Sequence, residues 1–252
     1  MTVLLAQKLS YRYGSRAVLE DLEIRVNKGE IVGLLGPNGA GKSTAFGLLA
    51  GTLHHPRAKI FLQGQSIEKM RLWMRARCGL AYIPQRSTIL KDFTVSENIE
   101  FGLLDRARPA RASAKESVLT QFGLTALASA KGRNLSGGER RRVELARVFA
   151  GQPRVLLADE PFNSLDPMAT QEVARILRKF TQSGVGVLIT DHDIEQTLAL
   201  CDRIYIILDG RVICEGTSED VAQNSRVRDT YLGERVRGTS METDHVGRLA
   251  PF

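Results

Sequence analysis

Residues 36–44 have the sequence GPNGAGKST, and this stretch decides the fold. Its glycine spacing and Gly-Lys-Ser ending are typical of a loop whose backbone N–H groups surround phosphates, because only glycines allow so tight a turn around an anion. An apolar run at residues 31–35 precedes the loop, and a helical pattern at residues 43–50 follows it. This strand–loop–helix order also directs a helix N-terminus at the phosphates. The sequence therefore predicts a phosphate-binding site.

The loop offers side chains as well as backbone groups. Lys42 supplies a point charge for the outer phosphates, and the hydroxyl of Ser43 is a candidate ligand of Mg²⁺. The candidate nucleotide-binding residues of the loop are Gly36, Pro37, Asn38, Gly39, Ala40, Gly41, Lys42, Ser43 and Thr44.

An acidic pair, Asp159 and Glu160, follows the apolar run at residues 155–158. The carboxyl end of a parallel strand is where sheets of this kind bind ligands. Asp159 is therefore a candidate to hold Mg²⁺, directly or through water, and Glu160 a candidate to polarise an attacking water. The alternative is an acid that only caps a helix or stabilises a turn, which the phosphate loop upstream makes less attractive.

Residues 135–139, LSGGE, open a strongly helical and basic stretch at residues 139–150. Exposed N–H groups and the helix dipole at such a start form a second anion site. A second phosphate-binding terminus is redundant within one nucleotide site, but it makes sense if it completes the site of a second subunit. The simpler alternative is a capped helix with no ligand.

The remaining pattern predicts an α/β fold. Residues 1–27 are strand-rich, and residues 96–131 are mainly helical with a break around Pro109. Beyond them, strands and helices alternate, which favours a largely parallel sheet with helices on its faces. The alternating segments are helix 139–150, strand 155–158, helix 167–182, strand 185–190, helix 193–200 and strand 203–208. Residues 238–252 are polar and aperiodic, and we expect a mobile tail there.

Composition places the chain among ordinary globular proteins, with 43% hydrophobic and 25% charged residues. No apolar run approaches the ~18 residues of a membrane span, and the first ten residues do not resemble a signal peptide, so we expect a cytosolic protein. Three cysteines without a Cys-x-x-Cys spacing favour buried thiols over a metal site or a disulfide.

The net charge of +7 leaves three alternatives open: a nucleic-acid partner, an anionic membrane surface, or no specific partner. Basic clusters occur at residues 106–111 and 140–142. No aromatic residues alternate with them, as a surface for single-stranded nucleic acid would require. We therefore expect these clusters to be solvated helix faces.

Seven motifs in this order resemble the nucleotide-binding subunits of ABC (ATP-binding cassette) transporters. They are Tyr13 ahead of the loop, the loop itself, Gln85, the signature at residues 135–138, the acidic pair, residues 164–166, and His192. The resemblance implies a P-loop NTPase core of the ABC-ATPase type. It also implies an N-terminal antiparallel β-subdomain, a helical subdomain at about residues 88–152, and a single nucleotide-binding domain over residues 1–237.

The resemblance also implies roles in binding the nucleotide. Tyr13 would stack on adenine, although Tyr11 is a conceivable substitute and strand packing the alternative for either. Ser136, Gly137 and Gly138 would hold the γ-phosphate of ATP on the other subunit, and Asp166 would link the two sites across the dimer.

For catalysis, the resemblance implies four residues: Glu160, His192, Gln85 and Lys42. Gln85 would contact Mg²⁺ or the attacking water and report the nucleotide state to a membrane partner, so the implied metal ligands are Ser43, Gln85 and Asp159. His192 would hold the γ-phosphate. Taken alone, a single glutamine in a loop or a single histidine would carry no such role.

The implied protein is an ATPase that uses ATP and Mg²⁺, forms a head-to-tail homodimer around two ATP molecules, and drives two transmembrane subunits that dock near residues 85–93. It would be cytoplasmic, peripheral on the cytoplasmic face of the inner membrane, with no nucleic acid expected. Residues 135–147, 159–162, 186–192 and 231–234 are most similar to the ATPases of lipopolysaccharide export.

Two alternatives stay open. Branched-chain amino-acid importers share part of this pattern, and residues 89–93, where the partner should dock, differ from the export pattern. A soluble ABC protein that acts on nucleic acid or ribosomes is less favoured, because the chain has one cassette and no long coiled-coil insertion. A GTPase is disfavoured by the lack of an Asn-Lys-x-Asp motif.

Overall fold

The computed structural model describes residues 1–104, 107–192 and 194–232; for Arg108, Tyr231 and Leu232 it describes only the backbone. The predicted domain end at residue 237, the predicted tail at 238–252 and most of the 231–234 motif lie outside the described residues. So does residue 193, where the sequence predicts that a helix begins.

An antiparallel sheet forms the N-terminal part of the molecule, as predicted. Its strands are β1 (Thr2–Tyr13), β2 (Arg16–Asn27), β4 (Lys59–Leu62) and β5 (Gln65–Ser66), in the order β2-β1-β4-β5. In the centre of β2, Leu22, Ile24 and Val26 are buried while the residues between them are exposed. This alternation packs one face on the core and leaves the other in solvent.

A six-stranded sheet forms the centre. Its strands are β3 (Ile31–Leu35), β6 (Leu80–Ile83), β7 (Val155–Asp159), β8 (Gly186–Thr190), β9 (Arg203–Leu208) and β10 (Arg211–Gly216), in the order β10-β9-β3-β8-β7-β6. The strands from β9 to β6 are parallel, and β10 pairs antiparallel with β9. Asp209 and Gly210, both with positive φ, form the turn between β9 and β10, as an Asp-Gly pair often does in a hairpin.

Nine helices occur in the described part of the chain. They are α1 (Lys42–Ala50), α2 (Leu72–Arg77), α3 (Val95–Gly102), α4 (Arg108–Gln121), α5 (Gly137–Ala150), α6 (Pro167–Gln182), α7 (Ile194–Leu200), α8 (Ser218–Gln223) and α9 (Ser225–Val227). Short 3₁₀ turns at Thr125–Leu127 and Gly132–Asn134 and a final π-helical turn at Arg228–Leu232 complete the set. The predicted break at Pro109 lies in the first turn of α4, where a proline is tolerated.

The central sheet separates two hydrophobic clusters. Successive residues of one strand belong to opposite clusters: Leu156 packs with the helices α5 and α6, whereas Leu157 packs with α1 and the antiparallel sheet. Strands covered on both faces are continuously apolar, which is why β3, β7 and β8 are buried along their whole length. Within the described residues, no helix is both long and apolar enough to span a bilayer.

Candidate functional site

Four neighbouring strands of the central sheet end at the same edge. β3 leads into the phosphate loop, β8 into Asp191 and His192, β7 into Glu160, and β6 into Gln85. Because these strands are parallel and adjacent, segments that are far apart in the sequence lie side by side here. This topology positions the candidate catalytic residues.

The glycines of the phosphate loop are required by close packing. A Cβ atom on Gly36 would lie 2.2 Å from the carbonyl oxygen of Ile207. Gly41 has a φ of +107°, and its Cβ would lie 2.6 Å from Cδ2 of Leu19 and 2.8 Å from the carbonyl oxygen of Val18. A side chain at either position would displace the loop from β2 or β9, so the loop depends on both glycines.

Lys42 folds back over the loop. Its Nζ donates hydrogen bonds to the carbonyl oxygens of Gly36 at 2.7 Å and of Pro37 at 3.1 Å. Burial lowers the pKa of Lys42, and the nearby charges of Glu160 and Asp159 partly oppose this effect. Ser43, the next residue of α1, is exposed. Lys42 is therefore bonded back to the loop, while the Ser43 side chain is accessible to solvent.

Asp159 is a buried carboxylate at the end of β7, with 8% exposure. Desolvation, together with the charge of Glu160, raises its pKa to about 6. The hydroxyl of Tyr82 donates a long hydrogen bond of 3.5 Å to Oδ2, and the pKa of Tyr82 is raised to about 12, mainly by burial. Asp159 is thus an oxygen donor in a position where a cation would offset its desolvation.

Glu160 stands at the centre of the strand ends. Its backbone has a φ of +47°, and its N–H donates to the carbonyl oxygen of Thr190 at 2.7 Å, which fixes the turn after β7. Its Oε2 accepts hydrogen bonds from Nε2 of Gln85 at 2.6 Å and from Nδ2 of Asn163 at 3.3 Å. Nδ1 of His192 lies 3.8 Å from the same oxygen. The structure therefore brings Gln85, Glu160 and His192 together.

Asp191 orients His192, a contact that sequence reasoning missed. Asp191 is fully buried; its Oδ1 lies 3.2 Å from Nδ1 of His192 and accepts the His192 backbone N–H at 2.8 Å. Its Oδ2 accepts the N–H of Phe162 at 3.1 Å. The signal was present in the sequence as a carboxylate directly before the histidine. The His192 ring itself is 61% exposed and faces solvent.

The signature turn is exposed at the start of α5. Ser136 and Glu139 form a reciprocal capping box: Glu139 Oε2 accepts the Ser136 N–H at 2.7 Å, and Ser136 Oγ accepts the Glu139 N–H at 3.2 Å. The same bonds lower the pKa of Glu139. Gly138 packs so closely that its Cβ would lie 2.7 Å from Cβ of Ala169. The Ser-x-x-Glu spacing would have identified this box in the sequence.

Arg141 corrects a sequence prediction. We expected residues 140–142 to form a solvated face, but Arg141 is 6% exposed. Its guanidinium pairs with Oε2 of Glu144 at 3.1 Å and lies 3.5 Å from the carbonyl oxygens of Gln85 and Glu160. Carbonyl groups of two strand ends lie against this side of α5, and a guanidinium supplies the donors that they need. The prediction was therefore wrong for Arg141.

Glu144, next to Arg141, fastens α5 to the segment after Gln85. It is 1% exposed, and its Oε1 accepts hydrogen bonds from the Ser87 hydroxyl at 2.7 Å and from the Thr88 N–H. The signature helix is thereby connected to the residues that follow β6.

Tyr13 and Asp166 lie away from this cluster of contacts. Tyr13 is 53% exposed at the end of β1, with its ring centroid 4.9 Å from that of Tyr11 in an edge arrangement. Asp166 accepts the N–H of Ala169 at 2.9 Å and so caps α6. Both are accessible on the surface of a single chain.

An apolar groove lies beside α3, at the end of the segment predicted to meet a membrane partner. It encloses about 300 Å³ and is lined by Phe93, Glu97, Glu100, Phe101 and Leu104. The rings of Phe93 and Phe101 meet edge to face at 5.3 Å, and both are 42% exposed. We call this feature the α3 groove.

Comparison with known proteins identifies the family. The profile described as "ABC transporter" matches residues 19–163, and one described as "Branched-chain amino acid ATP-binding cassette transporter" matches residues 211–237. The lipopolysaccharide export system ATP-binding protein LptB of Acidithiobacillus ferridurans is 42% identical over 92% of this chain and 98% of its own length. LptB of Escherichia coli K12 is 40% identical over 94% of this chain and 100% of its own.

Solved structures agree. An ATP-binding subunit of an ABC transporter superposes with a TM-score of 0.79 at 28% identity, covering 94% of this chain and 99% of that one. An ABC cassette in its ADP conformation gives 0.82 at 24% identity, covering 93% and 100%, which shows the shared fold alone. The profile spans more than half of the chain and the relatives extend over nearly all of it, so this chain belongs to the ABC transporter family as an ATP-binding subunit that hydrolyses ATP.

Proposed function

We propose that this chain is the ATP-hydrolysing motor subunit of a lipopolysaccharide exporter. The observation that carries the proposal is the similarity to proteins named for lipopolysaccharide export, at 40 to 42% identity along their nearly complete length. In this proposal, two copies enclose two ATP molecules and drive membrane subunits that move lipopolysaccharide towards the outer membrane. The protein is then cytoplasmic and peripheral on the inner membrane.

The phosphate loop would bind ATP together with Mg²⁺. The hydroxyl of Ser43, the amide oxygen of Gln85 and the carboxylate of Asp159 form an oxygen donor set, which Mg²⁺ prefers. The buried carboxylate of Asp159, with a second carboxylate beside it, fits a cation. Mg²⁺ would supply charge neutralisation of the phosphates. The loop backbone, residues 36–44, and Lys42 hold the phosphate chain, and Tyr13 offers an exposed ring for adenine.

Glu160 would act as the general base. It accepts the proton of a water that attacks the γ-phosphate, while Gln85 and His192, both beside its Oε2, orient that water and the phosphate. Lys42 must exchange its two carbonyl partners for phosphate oxygens when ATP binds. Catalysis in such a site rests on positioning and charge stabilisation, as in other phosphoryl transfers.

The signature would act on the other subunit. Ser136, Gly137 and Gly138 start a helix at the surface, so in a head-to-tail dimer their N–H groups and the helix dipole can reach the γ-phosphate held by the partner's loop. Asp166, exposed at the start of α6, would connect the two sites across the same interface.

The α3 groove would receive the membrane subunits. It offers apolar rings beside two acids, Glu97 and Glu100, which suits a helix with an apolar face and basic flanks. The sequence predicts that partners dock near residues 85–93, and Phe93, the last of these residues, also lines the groove. Arg141 and Glu144 connect the segment between Gln85 and the groove to the signature helix, so movement at the groove would reach both nucleotide-contacting elements.

A second candidate is the ATPase of another ABC transporter, such as a branched-chain amino-acid importer. The match of residues 211–237 to that profile favours it. The chemistry at the strand ends would be the same, and only the membrane partner and the cargo would differ.

The experiment is to purify the Glu160→Gln chain with ATP from solubilised native membranes and to identify its partners by mass spectrometry. The wild-type complex is then reconstituted in vesicles, and ATP-dependent release of lipopolysaccharide is compared with uptake of leucine. Release of lipopolysaccharide is the expected result. Uptake of leucine would replace the proposal with the importer. Recovery of ribosomes or nucleic acid without membrane subunits would overturn both.

A further inference from the structure

A cationic surface lies at the far end of α1 from the phosphate loop. It comprises a cavity of about 690 Å³, formed by β1, the loop after α1 and the segment before α2, together with the exposed side of α2. We call it the basic patch, and its exposed cations are Lys8, Arg57, Lys59, Lys69, Arg71 and Arg77, accompanied by His54 and His55.

The patch carries an excess of positive charge. It holds six lysines and arginines and one lining acid, Glu68, in a chain whose net charge is +7. None of the six forms an ion pair with a described residue, whereas other surface arginines, such as Arg211 with Glu20, do. These six charges are therefore left available to an anionic partner.

A buried arginine, Arg75, connects α2 to the end of α1. Arg75 is 1% exposed, and its guanidinium donates to the carbonyl oxygens of Leu48 and Leu49, both at 2.6 Å, and to that of Met70 at 2.9 Å. It thus joins the end of α1 to the segment that leads into α2. A Cβ on Gly51 would lie 2.8 Å from Nε of Arg75, so the loop after α1 packs directly against the same side chain.

Apolar side chains are exposed on α2, between Arg71 and Arg77 in the sequence. Leu72, Trp73 and Met74 are exposed by 37, 58 and 37%, and the guanidinium of Arg77 lies 5.4 Å from the centre of the Trp73 ring. Tryptophan and arginine beside each other, with aliphatic neighbours, are typical of surfaces that enter the headgroup region of a bilayer. A surface for single-stranded nucleic acid would instead present several aromatics for stacking.

We infer that the basic patch docks on the anionic phospholipid surface of the membrane in which the transporter operates, with Trp73 entering the headgroup region. The inference deepens the proposed function and rests on its membrane location, but not on the cargo. The patch is remote from the nucleotide, so lipid contact adds to the attachment that the α3 groove provides.

The test uses the full-length chain and two kinds of vesicle: phosphatidylcholine alone, and an equal mixture of phosphatidylcholine and phosphatidylglycerol. Binding is measured by flotation, and insertion by the emission maximum of Trp73, which is the one tryptophan of the chain. We expect binding and a blue shift with the anionic vesicles only. Anionic binding without a blue shift would overturn the assignment to this face.

The patch variant is Arg57→Glu, Lys59→Glu and Lys69→Glu. The matched control, Arg175→Glu, Arg226→Glu and Arg228→Glu, changes the net charge equally at exposed positions on other elements. Since each basic residue near an anionic surface contributes strongly, we expect the patch variant to bind at least about a hundredfold more weakly and the control to bind nearly as wild type. An equal loss in both would show an effect of net charge alone and refute the inference.

Competition with soluble anions tests whether the patch instead binds free phosphate or nucleic acid. Millimolar inorganic phosphate that displaces the protein from vesicles, or a duplex oligonucleotide that binds the patch more tightly than the vesicles do, would also refute it. The patch variant should keep the wild-type ATPase rate, because its substitutions lie outside the nucleotide site. A failure of vesicle binding with intact ATPase and intact partner capture would therefore remove this inference and leave the proposed function standing.

Discussion

The phosphate loop and the signature turn both place a glycine-rich turn before a helix, yet they differ in how their first N–H groups are used. At α1 the residue before the helix is Gly41, and no side chain among the described residues caps the helix. At α5 the Ser136 hydroxyl and the Glu139 carboxylate cap the helix reciprocally. The first terminus is open towards a ligand in its own chain. The second is stable alone and presents its remaining groups outward.

Asp159, beside the phosphate loop, and Glu139, in the signature turn, differ in the direction of their pKa shifts. The pKa of Asp159 is raised to about 6 by desolvation, whereas the hydrogen bonds of the capping box lower the pKa of Glu139. An acid that destabilises the folded chain in its ionised form is typical of a functional position. An acid that is stabilised locally is typical of a structural one. Ionised Asp159 therefore lowers the stability of the folded chain, whereas ionised Glu139 adds to it.

The largest expected effect concerns Glu160, the candidate general base beside the phosphate loop. We predict that Glu160→Gln lowers ATP turnover by about 10²–10⁴-fold, the usual loss for a missing general base, and retains ATP binding. Steady-state phosphate release and equilibrium binding of a fluorescent ATP analogue would measure the two quantities. Glu172→Gln, on the surface of α6, is the control. Turnover near the wild-type rate would remove Glu160 from the mechanism.

The next largest effect concerns the signature turn. We predict that Ser136→Arg lowers turnover by about 10²–10³-fold, as for the loss of a preorganised charge-stabilising group, while the monomer still binds ATP. Light scattering gives a sharper measurement: Glu160→Gln should dimerise with ATP, and the double variant with Ser136→Arg should not. Ser225→Arg, an exposed serine that starts another helix, should leave both properties unchanged. A double variant that still dimerises would show that the signature does not act across subunits.

The connection between α5 and the Gln85 segment gives a stability prediction. Glu144→Ala leaves Arg141 and the Thr88 N–H without their buried partner, and we expect a loss of about 3–5 kcal/mol in the free energy of unfolding. Urea denaturation measures it. The control is Glu172→Ala, which breaks the partly exposed pair with Arg142 and should cost less than about 1 kcal/mol. Equal losses would mean that the buried network contributes no more than a surface pair.

The smallest effect concerns pH. Because the folded-state pKa of Asp159 is about 6 and its ordinary value is 3.8, ionisation of Asp159 destabilises the fold above about pH 6 and not below about pH 4. Asp159→Asn should therefore be more stable than wild type by up to about 3 kcal/mol at about pH 8, and this gain should shrink as the pH falls towards about 4. Urea denaturation at both pH values checks it.

Glu139→Gln is the matched control for that prediction, because the sign is opposite. The pKa of Glu139 is lowered, so its stabilisation is present above the ordinary carboxylate pKa and is lost as the pH falls through the folded value. The variant keeps an oxygen for the Ser136 N–H but loses the negative charge at the helix N-terminus, so it should be less stable than wild type by about 0.3–1 kcal/mol at about pH 8, and equal to it in acid. The same pH trend in both variants would contradict the comparison.

The sequence predicted what depends on local pattern. The loop glycines and the buried strands each carry a signal within a few residues, and the structure confirms these elements of the fold. Whether a charged side chain is buried depends instead on what packs against it. Arg141 was expected in solvent because its neighbours in sequence are arginines. The carbonyl groups that require it belong to Gln85 and Glu160, and only the fold brings them near.

The basic patch shows the same limit at a larger scale. Five of its six cations lie within residues 57–77, but Lys8 is distant in the sequence, and the basic clusters identified from the sequence were residues 106–111 and 140–142 only. Pairing of β1 with β4 and the contacts of Arg75 assemble the patch. A charge count detects such a surface, and only the topology locates it.

The hydrogen bond between Gln85 and Glu160 has a consequence for ATP consumption by free subunits. In the free subunit, the oxygen that would take a proton from water is already occupied by an amide from the segment leading to the α3 groove. We therefore expect a subunit without membrane partners to hydrolyse ATP more slowly than one in the assembled transporter. Subunits made in excess of their partners would then consume less ATP than assembled ones.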